Sequence, residues 1–232
     1  MQEVKTEYRY ESITEYDIDE PKRYDMKFGS TKQLVLMGYE GEKIRVLLAS
    51  DTLSTIQNDC KVRIDNIRRR IDVGVIYQNG MSGKDAKEAV SIFVWIPAPY
   101  IGKIECAADA ECVEVRNLTC ESIELDMKTA VVRLENVAGT VEINCNLDME
   151  VFCLSTCGEI TINQVSASSK IYVPEGTPFT AAAKGIGTDI FYEKDGMQTA
   201  DFSTPDAENH IELNGLKSSL VICRTTNNRG GL

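Results

Sequence analysis

The sequence predicts an all-β protein built as a single-stranded β-solenoid, and three observations carry that expectation. Apolar-polar-apolar units begin at Val113 (VEV), Ile123 (IEL), Val132 (VRL), Val141 (VEI), Val151 (VFC), Ile160 (ITI) and Ile171 (IYV), in steps of 10, 9, 9, 10, 9 and 11 residues. Such alternation marks half-buried strands, and a fixed period over many units marks a repeat architecture. No segment keeps a 3.6-residue period. Two units make one coil, as from Val113 to Val132 and from Val132 to Val151. Strands one coil apart then stack in parallel at about 4.8 Å, around an inward column of Val, Ile, Leu and Cys. An antiparallel β-sandwich or meander is the alternative, because turns of four or five residues also permit hairpins. The solenoid is favoured because the turns lack the Asn-Gly and Asp-Gly pairs that successive tight hairpins prefer.

Taken in order, residues 1–32 form a strand-like N-terminal extension, with tyrosine and threonine supporting extended backbone. Gln33 to Tyr39 (QLVLMGY) and Lys43 to Ala49 (KIRVLLA) read as two strands joined by the hairpin-type turn Glu40-Gly41-Glu42. Asp51 to Asn58 fits one helical turn with Asp51 as its N-cap. Lys61 to Asp65 and Arg70 to Tyr77 alternate again, Gln78 to Glu88 reads as a polar loop, and Val90 to Ile96 is a strand stopped by Pro97-Ala98-Pro99. The ladder follows to Val173, and Pro174-Glu175-Gly176-Thr177-Pro178 breaks it. Strands resume at Thr180–Ala183, Ile190–Tyr192, Ile211–Leu213 and Leu220–Cys223. The β-repeat domain therefore spans residues 33–223, and residues 224–232 read as a disordered tail.

A net charge of −11, from 36 acidic and 25 basic residues, argues against nucleic acid and against an electrostatic hold on anionic lipid. No apolar run approaches the about 20 residues that span a bilayer, and the first residues show no targeting segment. The eight cysteines, Cys60, Cys106, Cys112, Cys120, Cys145, Cys153, Cys157 and Cys223, form no C-x-x-C pair. They fall in or beside strands, where they read as small buried hydrophobes with free thiols. Free thiols favour the cytoplasm; a signal or anchor ahead of this chain would instead make it envelope-associated.

Chemistry is sparse. A lone histidine, His210, removes most acid-base constellations. There is no G-x-S-x-G elbow, Walker A loop or H-E-x-x-H, so no catalytic, cofactor-binding or metal-binding residues are expected and no cofactor is assigned. The stacked coils place two outward rows in view. Glu114, Arg133, Phe152 and Tyr172 form a candidate interaction surface, with Leu154 beside it, facing a protein or envelope partner or a second copy of the chain. Glu105, Glu124 and Glu142, followed by Thr161, form an acidic ladder. Adjacent like charges weaken a sheet, so the ladder asks for solvent screening, a bound cation or a basic partner.

The segments VSIFVWIP, VEVRNLTCESIELD, VRLENVAGTVEIN and GEITINQVSASSKIYVPEG resemble the bacterial "putative adhesin" family, a domain of unknown function numbered 4097 (DUF4097), related to the head domain of autotransporter adhesins. The resemblance covers roughly Gln33 to Cys223 and is clearest from Val90 to Gly176. It implies a β-solenoid-like fold, no established enzymatic activity, and a link to the bacterial envelope or its stress response. The family's Ser-Gly-Asp turns are largely replaced here by Cys, Asn and Thr, and the family supplies no catalytic residues to transfer. A non-enzymatic β-repeat scaffold that binds a partner is the leading expectation. A β-helical carbohydrate-binding or carbohydrate-active protein is the alternative.

Overall fold

Alternation becomes strand wherever one face can be buried, and here that holds for most of the chain. The computed structural model describes residues 7–155, 158–194, 197–200, 204 and 207–225. The strands are β1 (Tyr10–Asp17), β2 (Lys22–Tyr39), β3 (Lys43–Ser50), β4 (Cys60–Ile67), β5 (Arg70–Tyr77), β6 (Ser91–Pro97), β7 (Ile101–Lys128), β8 (Val131–Asn144), β9 (Glu150–Cys153), β10 (Glu159–Val165), β11 (Ser168–Pro174), β12 (Phe179–Lys194), β13 (Met197–Thr199) and β14 (Asn209–Thr225). Among the described residues two short α-helices, α1 (Ile56–Asp59) and α2 (Gly83–Ala89), and a 3-10 turn at Ala98–Tyr100 interrupt them.

The central strands run parallel and in register. Val113 pairs with Val132, Val132 with Val151, Val151 with Ile171 and Ile171 with Ile222. On the other side Ile123 pairs with Val141, Val141 with Ile160 and Ile160 with Ile211. All of these side chains are buried in one core. The antiparallel sandwich is excluded by this pairing.

The single-stranded β-solenoid is corrected as well. The pairings β8–β9, β9–β11, β11–β14, β14–β10 and β10–β8 close on themselves, giving a five-stranded parallel barrel with further strands outside it. The ring closes because β8 and β14 are long enough to bend round a corner and pair along both halves. Sequence order is also broken at each end: β2 lies between β6 and β7, and β14 lies between β11 and β12. A repeat period reports the spacing of neighbouring units and carries no information on which strand a later segment will join.

The corners have their own chemistry. Asn117 and Asn136 turn the chain at φ of 50° and 52°, a region asparagine tolerates. The Asn136 side-chain amide donates to Asn117 Oδ1 at 3.0 Å, tying one corner to the next. Gly139, at φ +112°, passes so close to the preceding layer that a Cβ would stand 2.0 Å from the Cys120 carbonyl oxygen.

Three local expectations change at the N-terminal end. The hairpin between β2 and β3 does not form; β6 inserts between them, parallel to β2 and antiparallel to β3. The β6 sequence SIFVWIP is buried on both faces, which suits it to a central position. The helical turn starts at Ile56 after Thr55, and Asp51 does not cap it. The polar loop contains α2, whose N-cap Ser82 and Asp85 form a reciprocal capping box.

Candidate functional site

The outward side chains of the parallel layers stack as inevitably as the inward ones. Glu114 neighbours Arg133, Arg133 neighbours Phe152, and Phe152 neighbours Tyr172. Each touches the next. Arg133 Nη1 lies 3.9 Å from Glu114 Oε1, its guanidinium sits 5.7 Å from the centre of the Phe152 ring, and the Phe152 and Tyr172 rings stack 4.6 Å apart at 4°. The Tyr172 hydroxyl donates to Glu150 Oε1 at 2.8 Å. Glu114 is 6% exposed, paired with Arg116, and accepts from Gln33 Nε2 at 2.9 Å. Arg133, Phe152 and Tyr172 are half-buried, and Leu154 beside them is exposed. Across Glu114 the same outward row continues into Val35, Phe93 and Leu47. These form a second apolar cluster on which Tyr8 and Trp95 pack.

The acidic residues stack on another face. Glu124 neighbours Glu142, and Glu142 neighbours Thr161; Glu105, earlier on β7, neighbours Asp25. The charges are relieved by donors that the carboxylate pattern did not announce. Arg23 pairs with Glu105. Asn144 Nδ2 donates to Glu124 Oε1 at 3.3 Å and to Asp126 Oδ1 at 2.6 Å. Asn163 Nδ2 donates to Glu142 Oε1 at 2.6 Å and to Asn144 Oδ1 at 2.7 Å. The Glu124 carboxyl is still held above the usual carboxylate range, first by burial and then by Asp126, Glu142 and Glu105. Among the described residues no three His, Cys, Asp or Glu side chains gather closely enough to hold a metal ion.

Where the Asn ladder meets the next corner, a groove opens with a volume of about 730 Å³. Asp126, Lys128, Asn144, Asn163 and Asn214 line it together with Leu147, Val165 and Leu216. Sequence reading missed it. The recurrence of asparagine 19 residues apart at 144 and 163 was a usable signal, but Asn214 joins the row only because β14 returns beside β10.

The seven described cysteines form no disulfide with one another, and five of them are buried; Cys157 lies outside the described residues. Burial pushes the Cys60, Cys112 and Cys120 thiols up to about 11. No described helix is long and apolar enough to cross a membrane.

The chain matches no protein-family model and no curated protein. Solved structures similar to it include a "putative cell adhesion protein" from Clostridium sporogenes, 10% identical, with a TM-score of 0.43 over 93% of this chain and 100% of that one. A "putative adhesin" from Bacteroides fragilis is 11% identical, with a TM-score of 0.40 over 94% and 98%. A "putative lipid binding protein" from Parabacteroides distasonis is 10% identical, with a TM-score of 0.29 over 94% and 98%. At these scores the similarities assign no function, and the expected membership of DUF4097 is not shown by any of them.

Proposed function

We propose that this chain is a non-enzymatic binding scaffold, adhesin-like as its sequence resemblance implies, and that it contacts its partner through the Glu114–Arg133–Phe152–Tyr172 row. One observation carries the reading: four side chains of different chemistry stand in unbroken contact on the outside of the barrel, with the last three half-exposed. A barrel filled by its own side chains leaves its activity to its surface. Half-exposed aromatic and arginine side chains are the groups that dominate protein contacts, and apolar groups rimmed by charge mark interaction sites. A second copy of the chain is the partner most readily tested.

Sedimentation velocity over a range of concentrations, with the double change Phe152→Ser and Tyr172→Ser, tests this. The proposal expects a concentration-dependent associated species in the wild type that disappears in a variant with an unchanged circular dichroism spectrum. A wild type that stays monomeric, with a variant whose melting temperature falls by several degrees, would place both rings in the stability of the fold and overturn the reading.

A further inference from the structure

The edge strand β4 stops one strand short of covering its part of the core. Among the described residues it pairs with β5 alone, antiparallel, from Cys60 opposite Tyr77 to Ile67 opposite Arg70. In an antiparallel pair, alternate residues bond to the partner strand. The Gln78 amide donates to the Asp59 carbonyl at 2.8 Å in the same register, which fixes the phase. Lys61, Arg63, Asp65 and Ile67 therefore turn their backbone groups towards β5, and Val62, Ile64 and Asn66 turn theirs away. Among the described residues no backbone group bonds to those of Val62, Ile64 or Asn66.

The side chains agree with the backbone. Val62 and Ile64 pack on the core yet stay only half-buried, whereas Val73, opposite Ile64 and one strand further in, is fully covered. Lys61, Arg63 and Ile67, on the other face of β4, are exposed. The hairpin from Cys60 to Tyr77 carries five basic residues and two acidic ones, in a chain of net charge −11. Asp65 pairs with Arg63 and Asp72 with Arg70. Among the described residues no ion pair reaches Lys61, nor Arg68 and Arg69 in the turn, and all three are exposed. Positive charge on an edge strand discourages pairing with a copy of itself, and it leaves the edge open to a segment of opposite charge.

We propose that β4 accepts, as an added strand, an extended segment of a partner protein in which apolar and acidic residues alternate. The segment's backbone pairs with Val62, Ile64 and Asn66. Its apolar side chains complete the cover over Val62 and Ile64, and its carboxylates meet Lys61 and the turn at Arg68 and Arg69. In strand addition the main-chain bonds give affinity and the alternate side chains give specificity. β4 takes no part in the contact row, so this inference does not rest on that reading and either can fail alone.

Fluorescence anisotropy of the full chain with a labelled, end-blocked Glu-Val-Glu-Ile-Glu-Val hexapeptide tests it, together with amide hydrogen exchange read by nuclear magnetic resonance. The wild type binds this peptide, added salt weakens the binding, and the matching peptide with lysine in place of glutamate does not bind. The Val62, Ile64 and Asn66 amides exchange more slowly once the peptide is bound. Lys61→Glu with Arg68→Glu weakens binding about tenfold with an unchanged circular dichroism spectrum. Should that variant misfold, Lys61→Gln alone weakens binding in its place. No binding by the wild type, equal binding of the lysine peptide, undiminished binding in a folded variant, or binding that leaves the three amides unprotected would overturn the proposal. Protection of those amides that grows with protein concentration, without peptide, would assign the edge to a second copy and overturn it as well.

Discussion

Glu124 shows how closely a single side chain reports its layer. It stands beside Glu142 in register, and its carboxyl is raised by burial and by Asp126, Glu142 and Glu105, with Asn144 acting the other way. A carboxyl whose folded-state pKa is raised binds its proton more readily in the native state than in the unfolded chain. Its contribution to stability is therefore favourable in acid and is lost as pH rises through the folded-state value. Glu124→Gln removes that loss. We expect the variant to melt about 1–2 °C above wild type at neutral pH, the shift that a few tenths of a kcal/mol produce in a chain of this size. The difference should vanish below the ordinary carboxylate range, as differential scanning calorimetry across pH will show. The outward rows themselves were legible at this scale, because alternation and spacing place Glu114, Arg133, Phe152 and Tyr172 together. The donors were not, because Asn144 and Asn163 matter through what they face, and Arg23 reaches Glu105 from β2, 82 residues away.

At the scale of the element, turns and corners decide more than strand propensity does. Gly139 sits at a positive φ with its missing Cβ facing the Cys120 carbonyl. Gly139→Ala meets both a strained backbone conformation and backbone it cannot push aside, and we expect a loss of about 2 kcal/mol or more in urea unfolding. A loss of only a few tenths would mean that the β7–β8 corner relaxes freely. The strands of the ladder were readable because their alternation is strict. The seven-residue α2 is too short for a helical period to register, although its Ser82-Gly83-Lys84-Asp85 run spells a capping box. The expected β2–β3 hairpin gives way to β6 because a short polar turn permits pairing without enforcing it. β6, apolar on both faces, gains more by burial between two strands than at an edge.

For the whole molecule, the sequence period specified the parallel register of neighbouring layers and nothing about closure. The ring β8–β9–β11–β14–β10 depends on β14, which arrives only after the chain has passed through β12 and β13. No repeat in residues 113–173 announces that return. The proposed contact row depends on this architecture, since parallel layers in register align it on one face and the amide ladder on another. The measurement that tests it most directly is a methyl–methyl nuclear Overhauser map of isotopically labelled protein. Val151 should show cross-peaks to both Val132 and Ile171, and Ile160 to both Val141 and Ile211. Cross-peaks from Val151 to only one of its two neighbours, or from Ile160 to Val141 without Ile211, would break the ring and contradict the account.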